Sequence, residues 1–446
     1  MKLLIVILKI YMLSEPLFAQ TLNYSIKEIS QHFEQTKEIT ERHIKLWDKD
    51  IYAPILLIDP KTREVFANVQ DEAGELKIYN ELHDGKEDGI HDTIYIGLLP
   101  RTVPVSNTDI TWNGIHWAML ELPLPEGRYD RIDLTTHELF HRAQPFLGFN
   151  MIRENNNHLD QKDGRIYLRL ELAALEAALK SSRLKISEEH LRNALIFRKY
   201  RHILYRGSQQ SENYLELLEG LATYTGQMMS GRNKWEWREY LIKRIAEFDK
   251  SQSFIRSFAY ETTPVYGFFL QQKDYYWNKK ADNETNLTDF FSDAFGLESR
   301  ILLQSYVRQV ANEYGYKKIV DEEMSRSSIH QSSLDEYRDK FFERTRLEIR
   351  LEDMNMSFDP TNLIPLDEDE GIIYPQIILS DNWGILTVKE GGVLLRSDWH
   401  WLVVSEPTEI TDDRIMGEGW VIELNEGYGI EENFEGNYIL IKRRNF

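Results

Sequence analysis

The sequence predicts an α+β fold, with a small N-terminal sheet, a mainly helical body and a small all-β region at the C-terminal end. From residue 129 to about 351, apolar residues recur at helical spacing. On both sides of this stretch, short apolar runs alternate with turn residues, as is typical of strands. The chain has 446 residues, of which 42% are hydrophobic, so it is long enough for two or three packed domains.

The N-terminal region begins with an amphipathic segment, 24–48, that predicts a helix. Several short apolar runs follow between residues 53 and 123. They are rich in the β-branched and aromatic residues that fit a pleated surface, so they indicate a small mixed sheet. The predicted strands are 54–58, 64–69, 94–99 and 115–120.

The helical body and the C-terminal region differ in their apolar pattern. Helices are predicted at 165–180, 188–206, 214–229 and 262–272, with several more after residue 287. After residue 360 the pattern changes to short apolar runs separated by turns. These runs are 372–374, 384–388, 401–404, 420–424 and 438–441. We therefore expect a larger domain at 21–355 and a small all-β domain at 356–446.

The first twenty residues have the pattern of a secretory signal. Lys2 supplies a positive start, residues 3–8 form an apolar run, and Ala19 is a small residue suited to cleavage. Residues 1–20 are therefore predicted to be a signal peptide cleaved near Ala19. The mature chain is expected in a bacterial periplasm or outside the cell. No later segment is long and apolar enough to predict a membrane span.

Charge and cysteine content narrow the functional classes further. The formal net charge is -20, whereas a nucleic-acid binder needs a basic surface to neutralise phosphates. We therefore exclude nucleic acid as a partner. The chain has no cysteine, so no disulfide stabilises the fold. Core packing, with a bound metal ion in addition, has to supply the stability.

The most informative motif is the stretch His137-Glu138-Leu139-Phe140-His141. On a helix, residues four apart lie one turn apart on the same face, so both imidazoles can reach one zinc ion. The glutamate between them can hold a water bound to that ion and accept its proton. The motif therefore predicts a zinc site in which Glu138 acts as the general base.

A catalytic zinc site needs a third protein ligand, and the sequence offers several. Leu147 stands where a metzincin would place its third histidine, so that class is excluded. Glu171 and Glu219 lie on later predicted helices, and His158 and Asp160 lie in a polar loop. Helical spacing alone does not decide which of these four residues is the third ligand.

A second short motif, Glu219-Gly220-Leu221-Ala222 followed by Tyr224, resembles the third-ligand segment of the gluzincin zinc peptidases. This resemblance covers roughly residues 130–272 and implies a zincin-like metallopeptidase domain. It implies that His137, His141 and Glu219 bind zinc. The segment from His141 to Glu219 is longer than in thermolysin-like or aminopeptidase members, so Glu171 stays open as the alternative ligand.

The resemblance also suggests groups that assist catalysis. Gluzincins place a tyrosine after the ligand helix to stabilise the oxyanion, which here implies Tyr266, with Tyr224 as the second candidate. By the same analogy, an edge strand near 112–119 would lie along the cleft and pair with the substrate backbone.

Together these features predict an exported zinc metallopeptidase that acts on a peptide or protein substrate. One alternative is a non-catalytic zinc-containing protein whose C-terminal β region recognises glycan or protein. Another is zinc-dependent hydrolysis of something other than a peptide. An open, water-bearing position on the metal would separate the enzymes from the binding protein.

Overall fold

The computed structural model describes residues 24–79, 93–150, 152, 154–297, 302–360, 362–367 and 369–443, with residues 329 and 330 described only by their backbone. The predicted signal peptide, 1–20, lies outside these residues. The chain is α+β, with a helical body and a C-terminal all-β region of strands. No helix in the described ranges is long and apolar enough to cross a membrane.

The N-terminal part consists of one helix and a mixed sheet. Helix α1 is Ile26–Arg42. The six strands described are β1 (Ile55–Ile58), β2 (Glu64–Ala67), β3 (Lys77–Ile78), β4 (Tyr95–Leu98), β5 (Thr108–Trp112) and β6 (Ile115–Glu121). Their order is β3-β4-β2-β1-β6-β5, in which only the β1–β6 pair is parallel. The four predicted strands are present, whereas β3 and β5 were not predicted.

The helical body packs against the N-terminal sheet. Its helices are α2 (Arg128–Leu147), α3 (Lys162–Lys180), α4 (Leu184–Leu204), α5 (Ser208–Leu215), α6 (Leu221–Met229), α7 (Lys234–Phe248), α8 (Phe258–Leu270), α9 (Leu287–Phe295), α10 (Gln304–Ala311) and α11 (Tyr316–Arg338). A π-helical turn, Glu216–Gly220, joins α5 to α6. Helix α2 lies against β6 and α6, so it is central to this part of the fold.

The C-terminal region contains two sheets. Its strands are β7 (Arg346–Arg350), β8 (Asn355–Phe358), β9 (Ile364–Pro365), β10 (Ile372–Tyr374), β11 (Ile377–Asp381), β12 (Gly384–Val388), β13 (Val393–Leu395), β14 (Trp401–Ser405), β15 (Pro407–Ile410), β16 (Arg414–Gly417), β17 (Trp420–Leu424), β18 (Tyr428–Glu432) and β19 (Tyr438–Lys442). One sheet has the order β18-β19-β7-β14-β13-β10-β9, and the other has β15-β16-β17-β12-β11-β8.

The boundary between the two regions differs from the predicted one at 356. Strand β7 pairs along its length with β14, so the all-β region already begins at Arg346. The predicted larger domain, 21–355, includes this strand, in which the charged residues Arg346, Glu348 and Arg350 alternate with apolar ones. That alternation fits a strand, in which Leu347 and Ile349 are buried. The buried apolar residues of this region form one continuous cluster with those of the helical body.

Candidate metal centre

Helix α2 places the two motif histidines on one buried face. His137 and His141 are one turn apart, and their Nε2 atoms lie 2.9 Å from each other. Glu138, between them in sequence, is also buried. Helix α2 ends at Leu147, and Gly148 caps it in a left-handed backbone conformation. Pro145 lies in the last turn and has no N–H to donate to the carbonyl four residues earlier.

The π-helical turn brings a carboxylate to the two histidines. Glu219 Oε2 lies 3.1 Å from His141 Nε2 and 3.5 Å from His137 Nε2. A ligand atom of each of these three side chains lies within 4.8 Å of the others, so the group could hold a metal ion. A π-helical turn shifts the side chains that follow it relative to a regular helix, and such turns are frequent at functional sites.

Close helix packing holds the π-helical turn in position. A Cβ atom added to Gly220 would lie 2.4 Å from Thr263 Oγ1 on α8. One added to Gly226 would lie 2.6 Å from the carbonyl oxygen of Asp133 on α2. Both glycines therefore permit approaches that any side chain would block.

Two polar side chains fix the orientation of the histidine rings. Gln144 donates its amide N–H groups to the carbonyls of Leu217 and Leu218, at 2.9 and 2.8 Å. Its Oε1 therefore faces His141 Nδ1, 2.8 Å away, as an acceptor. Gln144 thus ties α2 to the π-helical turn as well as orienting His141.

Thr223 has the corresponding place beside His137. Its hydroxyl donates to the carbonyl of Glu219 at 2.8 Å, and its oxygen lies 3.4 Å from His137 Nδ1. The hydrogen-bond pattern thus assigns the Nδ1 proton to both rings and leaves both Nε2 lone pairs facing Glu219. This is the tautomer that metal-binding histidines need, with Nδ1–H held by an outer acceptor.

The electrostatics of the cluster follow from burial and proximity. Burial alone would lower the pKa of His141, but the Glu219 carboxylate outweighs it and raises this pKa to about 9. Burial raises the pKa of Glu138 to about 8, against the opposing effect of His141. One carboxylate oxygen of Glu138, Oε2, is buried and has no hydrogen-bond partner among the described residues. Such a carboxyl group can take up and release a proton near neutral pH.

The cluster opens into a cavity of about 510 Å³. The walls come from β5, β6, α2, the π-helical turn, α8 and the C-terminal region. Met356, Phe358 and Trp399 supply the C-terminal wall, so the all-β region contributes directly to this site. Trp383 and Trp420 of the same region are buried in the core and do not line the cavity.

The predicted oxyanion group Tyr266 lies elsewhere, which corrects that expectation. It is fully buried, its hydroxyl donates to Glu171 at 3.0 Å, and its ring stacks on Phe291. Tyr224 is also fully buried and packs against Trp277. The tyrosine that does border the cluster is Tyr260, whose ring stacks on His137 with centroids 5.7 Å apart.

The other candidate ligands also lie away from the cluster. Glu171 accepts hydrogen bonds from Arg198 and Arg201 inside the helical body. Asp160 pairs with Arg165, and His158 with Glu212. Of the third-ligand candidates, the structure therefore brings only Glu219 to the histidines.

The strand at the cavity is β5 and not the predicted segment 112–119. Strand β6, which covers most of that segment, is an interior strand between β1 and β5. Thr108 and Asp109 of the edge strand β5 line the cavity. Sequence reasoning missed β5, Gln144, Thr223 and Tyr260. Helical spacing could have suggested the two polar residues, since Gln144 follows His141 by three positions and Thr223 follows Glu219 by four.

Comparison with protein-family models, with curated proteins and with solved structures found no match to this chain.

Proposed function

We propose that this protein is an exported zinc-dependent peptidase of gluzincin type, in which Glu138 is the general base. The observation that carries the proposal is the meeting of His137, His141 and Glu219 at the wall of an open cavity. Two imidazoles and one carboxylate form a known three-ligand set of catalytic zinc sites, which keep a further position for water. Export rests on the predicted signal peptide at 1–20.

The donor atoms favour a transition metal, and Glu138 between the two histidines, as in the zinc peptidase motif, favours zinc among these metals. Imidazole nitrogen and carboxylate oxygen suit zinc, whereas an all-oxygen set would suit magnesium or calcium. The chain has no cysteine, so no thiolate can recruit copper(I) or an iron–sulfur cluster. The Nδ1–H contacts of His137 and His141 match the outer-shell hydrogen bonds of zinc sites.

The residues around the ligands divide the work of hydrolysis. Bound zinc would lower the pKa of a coordinated water toward neutrality. Glu138, whose Oε2 has no partner among the described residues, is the group that would accept a proton from the attacking water and donate it to the leaving amine. Tyr260, stacked on His137, is the hydroxyl placed to stabilise developing negative charge. Strand β5 offers its free edge to an extended peptide.

The proposal is tested by metal analysis and peptide hydrolysis on the mature full-length chain. We expect one zinc ion per chain and cleavage of a mixed peptide library. Glu138→Gln should keep the zinc and lower kcat about 10²–10⁴-fold, because it removes the proton acceptor only. Glu126→Gln, an exposed glutamate just before the same helix, is the matched control and should retain activity.

Two results would contradict the proposal. One is a purified chain with no transition metal. The other is a Glu138→Gln variant that hydrolyses peptides at the normal rate. A zinc-loaded chain that binds peptides or glycans but cleaves none would instead favour the non-catalytic binding protein. Assays of ester and glycan substrates, with Glu138→Gln as the control, test whether the protein is instead a zinc hydrolase that acts on something other than a peptide.

A further inference from the structure

The cavity contains a second feature that the metal cluster does not explain, namely the side chain of Arg256. This residue lies in the turn before α8 and is 8% exposed. It lines the same cavity as His137, His141 and Glu219. Tyr260, four positions later, stacks on His137, so the two residues connect Arg256 with the cluster through one short segment.

Arg256 has no carboxylate partner among the described residues. The other buried arginines described, Arg165, Arg169, Arg198 and Arg201, each form an ion pair with at least one Asp or Glu. Arg256 has only neutral acceptors, Asn155 Oδ1 at 3.0 Å and the carbonyl of Glu154 at 3.5 Å. Its Nε is buried without an acceptor. A buried, uncompensated charge is costly, so a site of this kind calls for an anion.

Trp399 of the C-terminal region covers the guanidinium group. The ring centroid lies 5.0 Å from the central carbon of the group, within range of a cation–π contact. The backbone of Trp399 has a φ of 61°, a conformation that a bulky side chain rarely adopts. Stacking covers one face of the guanidinium, so the in-plane N–H groups that Glu154 and Asn155 do not use, Nε–H among them, are left for the two oxygens of a carboxylate.

The remaining charges of the cavity indicate where an anion can bind. Asp109, Glu121, Asp130 and Asp133 line it together with Glu138. The other arginine in the lining, Arg244, is already paired with Glu261. Asp109 is paired with His116, and Asp130 and Asp133 are paired with Arg232. Arg256 is therefore the lining arginine without a carboxylate partner among the described residues, which favours an anion at this position.

We propose that Arg256 and Trp399 form a carboxylate-binding subsite for the substrate peptide. The inference rests on the proposed peptidase function. The carboxylate is either the free C-terminus of the peptide or an Asp or Glu side chain, since both present the same two oxygens. Its capture at Arg256 orients the peptide, with the bond to be cleaved placed toward His137 and His141.

The subsite is tested by binding measurements in zinc-loaded Glu138→Gln protein, which separates recognition from hydrolysis. The probes are three sets of N-acetylated peptides of one sequence, measured by calorimetry. One set has a free C-terminus, one has a C-terminal amide, and one has the amide with a single internal Glu. We expect one carboxylate-bearing set to bind about 10- to 100-fold more tightly than the plain amide, as for a charge-assisted hydrogen bond.

The variants assign this preference to Arg256. Arg256→Gln in the same background should remove the difference between the peptide sets, and Arg256→Lys should keep part of it, because lysine retains the charge without the two-pronged geometry. Arg244→Gln, which alters the paired arginine of the cavity, should preserve the ratio between the sets. The denaturant midpoint of each variant checks that it is folded.

The proposal is overturned if no carboxylate set binds better than the amide, or if the preference survives in folded Arg256→Gln protein. The set that binds more tightly, with a free C-terminus or with an internal Glu, identifies the source of the carboxylate. A carboxylate preference in a chain that cleaves no peptide would overturn the proposed peptidase function and leave the subsite standing. Peptide cleavage without a carboxylate preference would overturn the subsite and leave the proposed peptidase function standing.

Discussion

Two clusters of buried ionisable residues lie close together in the helical body, and they differ in what balances their charge. One is the metal cluster, His137, His141 and Glu219, at the cavity wall. The other is the arginine cluster, which comprises Glu171, Arg198, Arg201, Glu212 and Glu216. The π-helical turn contributes Glu216 to the arginine cluster and Glu219 to the metal cluster.

In the arginine cluster, the protein itself neutralises the carboxylates. Arg198 bridges Glu171 and Glu216 at 2.8 Å each, and Arg201 bridges Glu171 and Glu212 at 3.0 and 2.6 Å. All of these side chains are at most 1% exposed. Such a group is complete without a ligand, and its location inside the protein leaves no path for a substrate.

In the metal cluster, no arginine or lysine of the described part of the chain pairs with the carboxylates. Glu219 faces only the two imidazoles, and Glu138 Oε2 has no partner among the described residues. The cluster also borders the cavity. Burial of acidic residues is therefore not enough to identify a site. The informative combination is a carboxylate that faces two histidine Nε2 atoms in place of an arginine or lysine, together with access to a cavity.

The largest expected effect tests the structural role of the arginine cluster. Glu171→Gln should lower the free energy of unfolding by about 3–5 kcal/mol, because it breaks buried ion pairs with Arg198 and Arg201 and sets an amide donor against two guanidinium donors. Denaturant unfolding measures this. Glu176→Gln on the same helix removes an exposed pair with Lys180 and should cost less than about 1 kcal/mol. Loss of zinc from a folded Glu171→Gln variant would revive Glu171 as the third ligand.

The next effect concerns the metal cluster. Glu219→Gln should weaken zinc binding more than about 100-fold, beyond the range seen for outer-shell residues, because it removes a ligand charge. Competition with a chelator of known affinity measures it. The fold should persist, since Glu219 forms no ion pair with a described Lys or Arg. Unchanged zinc affinity would remove Glu219 from the ligand set.

A smaller effect is expected at the residue that orients His141. Gln144→Leu should weaken zinc binding about 10- to 100-fold, because His141 Nδ1 loses its acceptor and the π-helical turn loses two hydrogen bonds. Gln144→Glu keeps an acceptor for the ring but no amide donor for the carbonyls. Wild-type zinc affinity in both variants, measured by the same chelator competition, would show that Gln144 fills space but does not orient His141.

The smallest effect is a dependence of zinc affinity on pH. In the metal-free protein the pKa of His141 is raised to about 9. Its protonated form therefore stabilises the metal-free fold fully below pH 6.5, and this contribution is lost as the pH rises through 9. Zinc must displace that proton, so its apparent affinity should rise about tenfold per pH unit between pH 7 and 9. A flat profile over this range would contradict the assignment of the proton to His141.

Much of the fold follows from local patterns. The apolar spacing predicted helices α1, α3, α4, α6 and α8 and nine of the nineteen strands described, since burial on one face requires that spacing. Strand β5, Thr108–Trp112, was missed because it has only two apolar side chains, Ile110 and Trp112, and so forms no apolar run. The domain boundary at 346 was missed because a charged strand resembles the end of a charged helix until its pairing with β14 is known.

The residues of the candidate site also divide into those that local spacing predicts and those that only tertiary packing brings together. The spacing of His137 and His141 is local, so the sequence alone places both on one helical face. Tyr260 and Tyr266 belong to the same helix, and only the packing of α8 decides that Tyr260 meets His137 while Tyr266 meets Glu171. Helical periodicity describes a face but does not say which neighbour covers it.

The sequence by itself thus determined the α+β class, the histidine pair and the base between them, because each depends on residues within a few positions. The tertiary structure decided between Glu219 and Glu171 and brought Arg256 against Trp399. These pairings join distant segments. They depend on the close approach of helices at Gly220 and Gly226 and on strand pairing in the C-terminal region, which no local pattern specifies.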